Sequence, residues 1–252
     1  TSEPYVMGSH ATGSGAWCSG PEDVSPPEYF WGYNRMTSIE GLFGAGDAVG
    51  GTPHAFSSGS FTEGRLAAKA ACKYIDDGKG EGIVVSEGQI NRRKEEIYKP
   101  LEHYRIYRNA IVAGDVNPHY INPKQGLDRL QKLMDEYCGG ATVNYMTNEK
   151  LLNIGLKKLA IMEEDLENLA AKDVHELLRA WELKHRHRAA ECVTQHTLFR
   201  KETRWPGYYY RGDAMKVDDE NWHVLTVSRR DPKTGEYIME KAPCYHLVSD
   251  EK

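Results

Sequence analysis

The chain has 252 residues, a formal net charge of -5 and a charged fraction of 27%. This length allows one or two domains with their own core, and the charge balance argues against a basic nucleic-acid surface or a polybasic membrane anchor. No apolar run reaches the roughly 20 residues that span a bilayer, and the start of the chain lacks signal-peptide features. We therefore predict a cytoplasmic protein that has no transmembrane segment and binds no nucleic acid.

The cysteines stand far apart and form no Cys-x-x-Cys pair. They are Cys18, Cys72, Cys138, Cys192 and Cys244. This spacing argues against a zinc ribbon, an iron–sulfur cluster bound by this chain alone and a secreted disulfide framework. We expect reduced cysteines that pack as small apolar side chains. Because the first residue is Thr1 rather than Met, we also expect a C-terminal portion of a longer protein.

Residues 5–20 place one histidine, His10, among small residues. Several glycines here let the backbone approach a ligand or another segment closely. Two interpretations carry about equal weight: an accessible functional imidazole, and a turn-rich loop with a hydrogen-bonded histidine. The following residues, 21–40, combine prolines with aromatic side chains, which favours a packed loop or part of an interface.

Residues 41–75 read as a strand, a Gly/Ser-rich turn and an Ala-rich helix. Gly41–Gly46 predicts the strand, and Asp47 ends it where ligands bind α/β sheets. The residues Ser57–Ser60 supply a possible N-cap for a helix that continues from Phe61 to Tyr74. Such a helix start offers backbone N–H groups to an anionic ligand. The alternative for Asp47 is a turn-forming residue without a ligand.

The next two elements are predicted helices. Ser86 and Gln89 resemble a capping box that opens a helix through about Arg108, with Pro100 as a kink or break. A second helical period covers Gly126 to Tyr137 and stops at a pair of glycines.

Two longer helices follow, opened by Thr147 and Asp173. The first has apolar residues at spacings of three and four, namely Leu152, Leu156, Leu159, Met162, Leu166 and Leu169. The inner stripe of the second is predicted as Val174, Leu178, Trp181, His185, Cys192, His196 and Phe199. Together the helices predict an antiparallel bundle. The basic run Lys184–Arg188 favours a solvated face, with contact to an anionic substrate or partner as the alternative.

The tail from Arg200 to Lys252 is rich in Arg and Tyr. Two strands are predicted around a turn at Asp231–Gly235. The composition favours an interface, although a local hairpin core would also explain the tyrosines. The whole chain therefore predicts an α/β plus all-α fold with three parts: an α/β region at 1–80, an antiparallel helical bundle at 81–203 and a small β-containing tail at 204–252.

Three separated blocks of the sequence resemble the fumarate reductase/succinate dehydrogenase flavoprotein superfamily. GLFGAGDAVGG with HAFSSGSFTEGRLA resembles its second flavin-binding segment, and His10-Ala11-Thr12 with the following glycines resembles its His-x-Thr-x-Gly-Gly substrate segment. The segments Arg200–Arg204 and Tyr210–Asp213 resemble its C-terminal Arg-rich motif. Within the superfamily, the stretches GSHATGSGAW, GDAVGGTPHAFSSGSFTEG and RWPGYYYRGD are similar to the alpha subunits of dissimilatory adenylylsulfate reductases.

The resemblance implies that residues 1–80 form the C-terminal part of a FAD-binding and capping region. It implies an enzyme that reversibly reduces adenosine 5'-phosphosulfate with two electrons to sulfite and AMP. Such a flavoprotein subunit carries FAD and forms a heterodimer with an iron–sulfur beta subunit. Two 4Fe-4S clusters are expected on that partner subunit only, and no metal on this chain.

The resemblance also implies roles for individual residues. His10 would lie beside the flavin at the substrate sulfate as an orienting group or proton donor, and Phe56 or Phe61 would stack on the substrate adenine. Asp47 with Gly46 would hold the ribityl or ribose side of the cofactor. A turn would place N–H groups and a positive helix end at the flavin pyrimidine edge, and its residues are Ser58, Gly59, Ser60, Phe61 and Thr62.

Two departures from the superfamily pattern bear on these expectations. Dicarboxylate enzymes carry an Arg in the segment occupied here by Ser57-Ser58, which disfavours fumarate or succinate as the substrate. The G-x-G-x-x-G dinucleotide fingerprint and an upstream substrate-binding Arg are also missing from this sequence, so we expect the chain alone to be inactive. The alternatives are another fumarate reductase-like FAD oxidoreductase, or a helical interaction module.

Overall fold

The computed structural model describes residues 14–50, 57–110, 117–204 and 209–244. The chain divides into two compact units, one of residues 1–85 with 246–252 and the other of residues 86–245. All five cysteines are free thiols. Among the helices in the described ranges, none combines the length and apolar character needed to cross a membrane.

The structure matches the predicted class of a helical region with small sheets. The helices are α1 Ser57–Asp76, α2 Glu87–Tyr107, α3 Pro123–Tyr137, α4 Glu149–Leu166, α5 Val174–Phe199 and α6 Asp219–Trp222. The strands are β1 Met146–Thr147, β2 Tyr210–Arg211, β3 Val224–Arg230 and β4 Tyr237–Pro243. Strands β1 and β2 pair in parallel, and β3 and β4 form an antiparallel hairpin.

The strand predicted at Gly41–Gly46 is wrong. This segment makes a single antiparallel bridge, between Phe43 and Met36. The backbone turns sharply at both ends of the segment, since φ is +77° at Gly41 and +64° at Gly46. These left-handed conformations interrupt an extended run, so the segment folds back on residues 35–37 as a turn.

Helix α1 begins at Ser57, within the run of serines rather than after it. Its buried face uses the small side chains of Ala67 and Ala70 and ends at Tyr74. The predicted glycine stop is confirmed, because the helix ends at Asp76 and Gly78 has a φ of +73°. Glycine adopts this conformation without the steric cost that other residues meet.

The capping box predicted for α2 is confirmed. Ser86 and Gln89 bond reciprocally, side chain to backbone, at the start of the helix. Pro100 does not break the helix, which continues to Tyr107. Pro100 is buried, and its carbonyl accepts a hydrogen bond of 2.9 Å from the N–H of Ala171. This contact ties the middle of α2 to the connection between α4 and α5.

Helices α3, α4 and α5 form the core of the second unit. The buried cluster consists of Leu130, Leu159, Met162, Leu166, Leu169, Ala180, Leu183 and Ala190. Helix α3 starts earlier than predicted, because Asn122 and Gln125 form a second capping box. The N-cap of α4 is Asn148, one residue after the predicted Thr147. Thr147 instead lies buried in β1, where its hydroxyl donates to the carbonyl of Tyr137 at 2.7 Å.

Asp173 caps α5 as predicted, but the predicted inner stripe of this helix is wrong. Val174 is 65% exposed and Leu178 is 61% exposed. The buried face instead consists of Leu177, Ala180, Leu183, His187, Ala190 and Thr194. Besides two leucines, this face carries small and polar residues, and its polar side chains bond backbone carbonyls. His187, for example, bonds the carbonyl of Leu159 at 2.8 Å.

The hairpin predicted around Asp231–Gly235 is confirmed. The carboxylate of Asp231 accepts hydrogen bonds from the N–H groups of Lys233 and Thr234, at 2.7 and 3.0 Å. These local bonds lower the pKa of Asp231. They fix the turn and therefore the register, which pairs Arg230 with Tyr237.

Candidate functional site

A buried glycine lets a tight turn meet the start of α1. Gly46 begins a 3-10 turn that ends at Ala48. A Cβ on Gly46 would lie 3.3 Å from the Oγ of Ser60 and 3.9 Å from its Cα. With a φ of +64°, this position favours glycine on conformational grounds, and a Cβ here would also crowd the Ser60 side chain. Asp47 follows in the same turn and is exposed, so its carboxylate is accessible although it does not end a strand.

The first turn of α1 carries a set of backbone N–H donors. The first N–H groups of a helix have no intrahelical acceptor, and this end carries partial positive charge. Ser58 is exposed and Gly59 is half-buried, so their N–H groups suit an anionic or electron-rich ligand edge. Thr62 lies one turn further on, where its hydroxyl donates to the carbonyl of Ser58 at 2.9 Å. Phe61 is 81% exposed, which leaves its ring available for stacking.

The segment that follows His10 in sequence pairs with the segment that follows Asp47. The N–H of Ala16 donates to the carbonyl of Ala48 at 2.7 Å, and the N–H of Gly50 donates back to Ala16 at 3.0 Å. A Cβ on Gly15 would lie 2.6 Å from the oxygen of Ala48, so the approach depends on glycine. The structure thereby joins two of the three blocks found in the sequence. His10 and Phe56 themselves lie outside the described residues.

An ion pair that sequence reasoning missed lies next to this site. The guanidinium of Arg35 contacts the carboxylate of Glu63 in α1 through two nitrogens, one of them at 2.9 Å. Glu63 is buried. Cys18 lies nearby, and burial raises the pKa of its thiol although the Gly44 N–H and Arg35 act in the opposite direction. These residues are far apart in sequence, so no spacing pattern connects them.

Known proteins resemble this chain in part of its sequence and along almost its whole length. Residues 127–247 match the family described as fumarate reductase flavoprotein C-term. Adenylylsulfate reductase subunit alpha of Megalodesulfovibrio gigas is 41% identical over 98% of this chain and 38% of its own length. Residues 127–247 therefore belong to the fumarate reductase flavoprotein family.

Two solved structures extend the likeness to the fold. The adenylylsulfate reductase of Archaeoglobus fulgidus superposes with a TM-score of 0.88 and 49% identity, over 93% of this chain and 37% of that chain. A structure of adenosine-5-phosphosulfate reductase in complex with sulfite, as a covalent adduct, gives a TM-score of 0.87 at 49% identity, with the same coverage. The chain thus spans less than two fifths of the length of these relatives.

The Arg-rich block, Arg200–Arg204 with Tyr210–Asp213, forms ion pairs within the chain. Glu202 is 2% exposed and accepts hydrogen bonds from Arg200 at 2.5 Å and from Arg204 at 2.7 Å. Burial opposes ionisation of Glu202, but Arg204, the Asp218 N–H and Arg200 together hold its pKa below the usual value. Arg204 also bonds Asp219 at 2.6 Å. These charges stabilise the tail of the second unit.

Arg211 is the most deeply buried charge of this block, at 1% exposure. Its guanidinium binds both carboxylate oxygens of Asp213, each at 2.9 Å. It also donates to backbone carbonyls at the end of α5, including that of Arg200 at 2.7 Å. Arg211 therefore caps α5 from another segment of the chain.

The basic run on α5 divides between solvent and internal contacts. His185 and Arg186 are exposed, in agreement with the predicted solvated face. Lys184 pairs with Glu167, and Arg188 pairs with Glu163 and Glu191. His187 points into the core. Across the four described ranges, no cluster of three His, Cys, Asp or Glu side chains is suited to hold a metal ion.

Proposed function

We propose that this chain is part of the flavoprotein subunit of an adenylylsulfate reductase. The reaction is the reversible reduction of adenosine 5'-phosphosulfate by two electrons to sulfite and AMP, in dissimilatory sulfur metabolism. The observation that carries the proposal is the likeness to adenylylsulfate reductases along almost the whole chain, at 41% identity in sequence and a TM-score of 0.88 in structure. The proposal concerns the complete protein, of which this chain corresponds to a portion.

The residues at the start of α1 fit one edge of FAD. Gly46 leaves room beside Ser60, the N–H groups of Ser58 and Gly59 lack intrahelical acceptors, and Asp47 presents an accessible carboxylate. When bound, FAD supplies two-electron redox chemistry. The N–H groups and the positive helix end then stabilise negative charge at the cofactor edge, while Asp47 accepts hydrogen bonds from ribityl or ribose hydroxyls. The upstream part of the complete subunit contributes the rest of the cofactor site.

His10 and the phenylalanines supply substrate contacts in this proposal. His10 orients the sulfate group or donates a proton to it. Its placement is supported by the pairing of Ala16 with Ala48, which brings the segment after His10 to the segment after Asp47. Phe61, with its exposed ring, or Phe56 stacks on the adenine.

The electrons come from a partner in this proposal. An iron–sulfur beta subunit with two 4Fe-4S clusters delivers them to FAD, and the proposal of this partner is supported by the likeness of the chain to an adenylylsulfate reductase alpha subunit. The Arg- and Tyr-rich tail is a candidate surface for that heterodimer. The cytoplasmic location predicted from the sequence stays a prediction.

The test uses the complete subunit purified with its partner. We expect bound FAD whose absorption changes on addition of sulfite with AMP. A response to dicarboxylates alone would instead favour a fumarate reductase-like enzyme, and a flavin-free subunit that still binds its partner would favour an interaction module.

The histidine is tested in the same complex. We expect His10→Asn and His10→Ala to lower the rate of sulfite formation by about 10²-fold or more while FAD stays bound. The matched control is His185→Asn, because His185 is an exposed residue of α5, and we expect this variant to keep the wild-type rate. An unchanged rate in both His10 variants would remove His10 from the mechanism.

A further inference from the structure

We propose that Arg35 and Glu63 form a positioning pair, which sets the location of the first turn of α1 against the Gly46–Ala48 turn. This inference rests on the proposed flavin function and adds two residues to it. Arg35 lies outside all three blocks by which the sequence resembles its superfamily, whereas Glu63 lies in the block of the flavin-binding segment and was given no role there. Neither is assigned contact with the cofactor or the substrate.

The backbone of Arg35 is held from two sides. Its N–H donates to the carbonyl of Ser19 at 2.7 Å, and its carbonyl accepts from the N–H of Gly44 at 2.9 Å. Arg35 adopts a φ of +63°, a left-handed conformation that is uncommon for a residue with a side chain. The residue therefore links the segment that follows His10 to the segment that enters the Gly46 turn, at a conformational cost that the surrounding bonds offset.

The side chain of Arg35 reaches α1. Its Nη2 donates to the Oε1 of Glu63 at 2.9 Å, and its Nε contacts Oε2. The two side chains are 18% and 10% exposed. Nε and Oε2 are buried and, among the described residues, neither has a hydrogen-bond partner, so they meet as an ion pair beside the single hydrogen bond from Nη2. One hydrogen bond and one ion-pair contact join the two side chains, and contact at two points restricts their relative orientation as well as their distance.

Glu63 lies on the face of α1 that meets the site. Ser60, three residues earlier, lies beside the position that a Cβ on Gly46 would occupy. Residues three or four apart share one helix face. Ala67 and Tyr74 continue the same buried face. A shift at Glu63 therefore moves Ser60 and the N–H groups of the first turn of α1, which are the groups proposed to lie at the flavin edge.

The pair should act on the flavin through placement of these donors. Donors aimed at a site of developing negative charge stabilise the reduced, electron-rich cofactor more than the oxidised one. If the helix start moves away, the reduced form loses more stabilisation than the oxidised form. The midpoint potential of the flavin then becomes more negative, and FAD binds less tightly.

The experiment compares three variants of the complete subunit in its heterodimer. We expect Glu63→Gln and Arg35→Lys to lower the flavin midpoint potential and to weaken FAD binding. The binding is measured by titration of the apoprotein with FAD. We expect kcat to fall by on the order of 10²-fold with little change in KM, as a misplacement of about 1 Å can produce. The matched control is Arg65→Gln, because Arg65 is exposed on the same helix. We expect this variant to keep the wild-type midpoint potential, FAD affinity and kcat.

The outcomes separate this inference from the proposed function. A wild-type complex without FAD or without sulfite formation would overturn the proposed function, and this inference with it. An active wild-type complex whose Glu63→Gln variant keeps the midpoint potential and the FAD affinity would overturn the positioning pair alone. If Glu63→Gln fails to fold, the Arg35→Lys variant, which keeps the positive charge, tests the inference. An unchanged flavin midpoint potential in that variant contradicts a positioning role for the two contacts of the guanidinium.

Discussion

Arg211 illustrates how a single buried charge organises the tail of the second unit. The residue is 1% exposed, and removal of a charge from water is costly unless it is paired and hydrogen-bonded. Asp213 supplies the opposite charge, and carbonyls at the end of α5 accept the remaining N–H groups. Arginine suits this position because its planar fork binds a carboxylate and still leaves donors for the helix end.

The pairing with Arg211 predicts a specific pH dependence. Hydrogen bonds from the guanidinium lower the pKa of Asp213 from its ordinary value of 3.8 to about 2. A carboxylate whose pKa is lowered by folding stabilises the fold above its unfolded pKa, and this contribution is lost as the pH falls through the folded value. The free energy of unfolding of the wild type should therefore exceed that of Asp213→Asn above about pH 4, and the gap should close between about pH 4 and pH 2.

Urea unfolding of the chain, followed by far-ultraviolet circular dichroism, measures this gap across the pH range. The control places Asp213→Asn in an Arg211→Met background, which lacks the two hydrogen bonds from the guanidinium to the carboxylate. We expect the pH-dependent part of the gap to shrink there but not to vanish, because the N–H of Glu149 still donates to Asp213. A wild-type gap that stays constant from pH 5 to about pH 2 would mean that the pair does not perturb the carboxylate.

At the scale of elements, caps and turns were predictable because their chemistry is local. Ser86, Asp173 and the turn at Asp231 each bond groups within a few residues, so the sequence carries the whole interaction. The box at Asn122 follows the same rule, and the spacing of Asn122 and Gln125 could have revealed it.

The buried faces of helices and the positions of strands were less predictable, because they depend on contacts with residues that are far apart in sequence. Large apolar residues such as Leu178 lie on the exposed side of α5, whereas Ala180 and His187 lie on the packed side. A hydrophobic pattern assigns the larger apolar side chains to the buried face. It cannot show that His187 bonds a backbone carbonyl of α4. Likewise, the pairing of Arg35 with Glu63 joins residues whose proximity arises only in the fold.

The buried face of α5 gives a direct test at this scale. Leu183 is 2% exposed and Leu178 is 61% exposed. We expect Leu183→Ala to lower the free energy of unfolding by about 2–5 kcal/mol, because it opens a cavity between helices. The same change at Leu178 should alter it by about 0.5 kcal/mol or less. Denaturant unfolding of both variants decides between the observed face and the predicted stripe.

Gly126 on α3 makes this test more specific. A Cβ at Gly126 would lie 2.5 Å from the Cδ2 of Leu183, so Gly126→Ala alone should cost about 1–3 kcal/mol by overpacking. In the Leu183→Ala background the clash is gone, and we expect a coupling of about 0.5–3 kcal/mol between the two changes. Additive effects would show that α3 and α5 do not meet at this point.

At the scale of the whole molecule, the chain combines a loop-rich unit with a helical one. The first unit presents the candidate cofactor edge at the start of α1, and the second contains the core of α3, α4 and α5. Residues 77–86 link α1 to the cap of α2, and every side chain in this stretch is exposed. Gly78, Gly80 and Gly82 each adopt a positive φ, a composition suited to a connection rather than to a packed element.

The exposed connection predicts the site of first proteolysis. Lys79 lies in this stretch, outside both helices, and proteases prefer exposed segments that local opening can release from their backbone hydrogen bonds. We expect brief trypsin treatment to cut after Lys79 first and to leave a resistant fragment that contains the bundle, identified by intact mass. In Lys79→Gln this early fragment should be absent, whereas Lys132→Gln, a change on α3, should leave it in place. An earlier cut within α3, α4 or α5 would contradict a division of the chain at residue 85, because the bundle would then open before the connection.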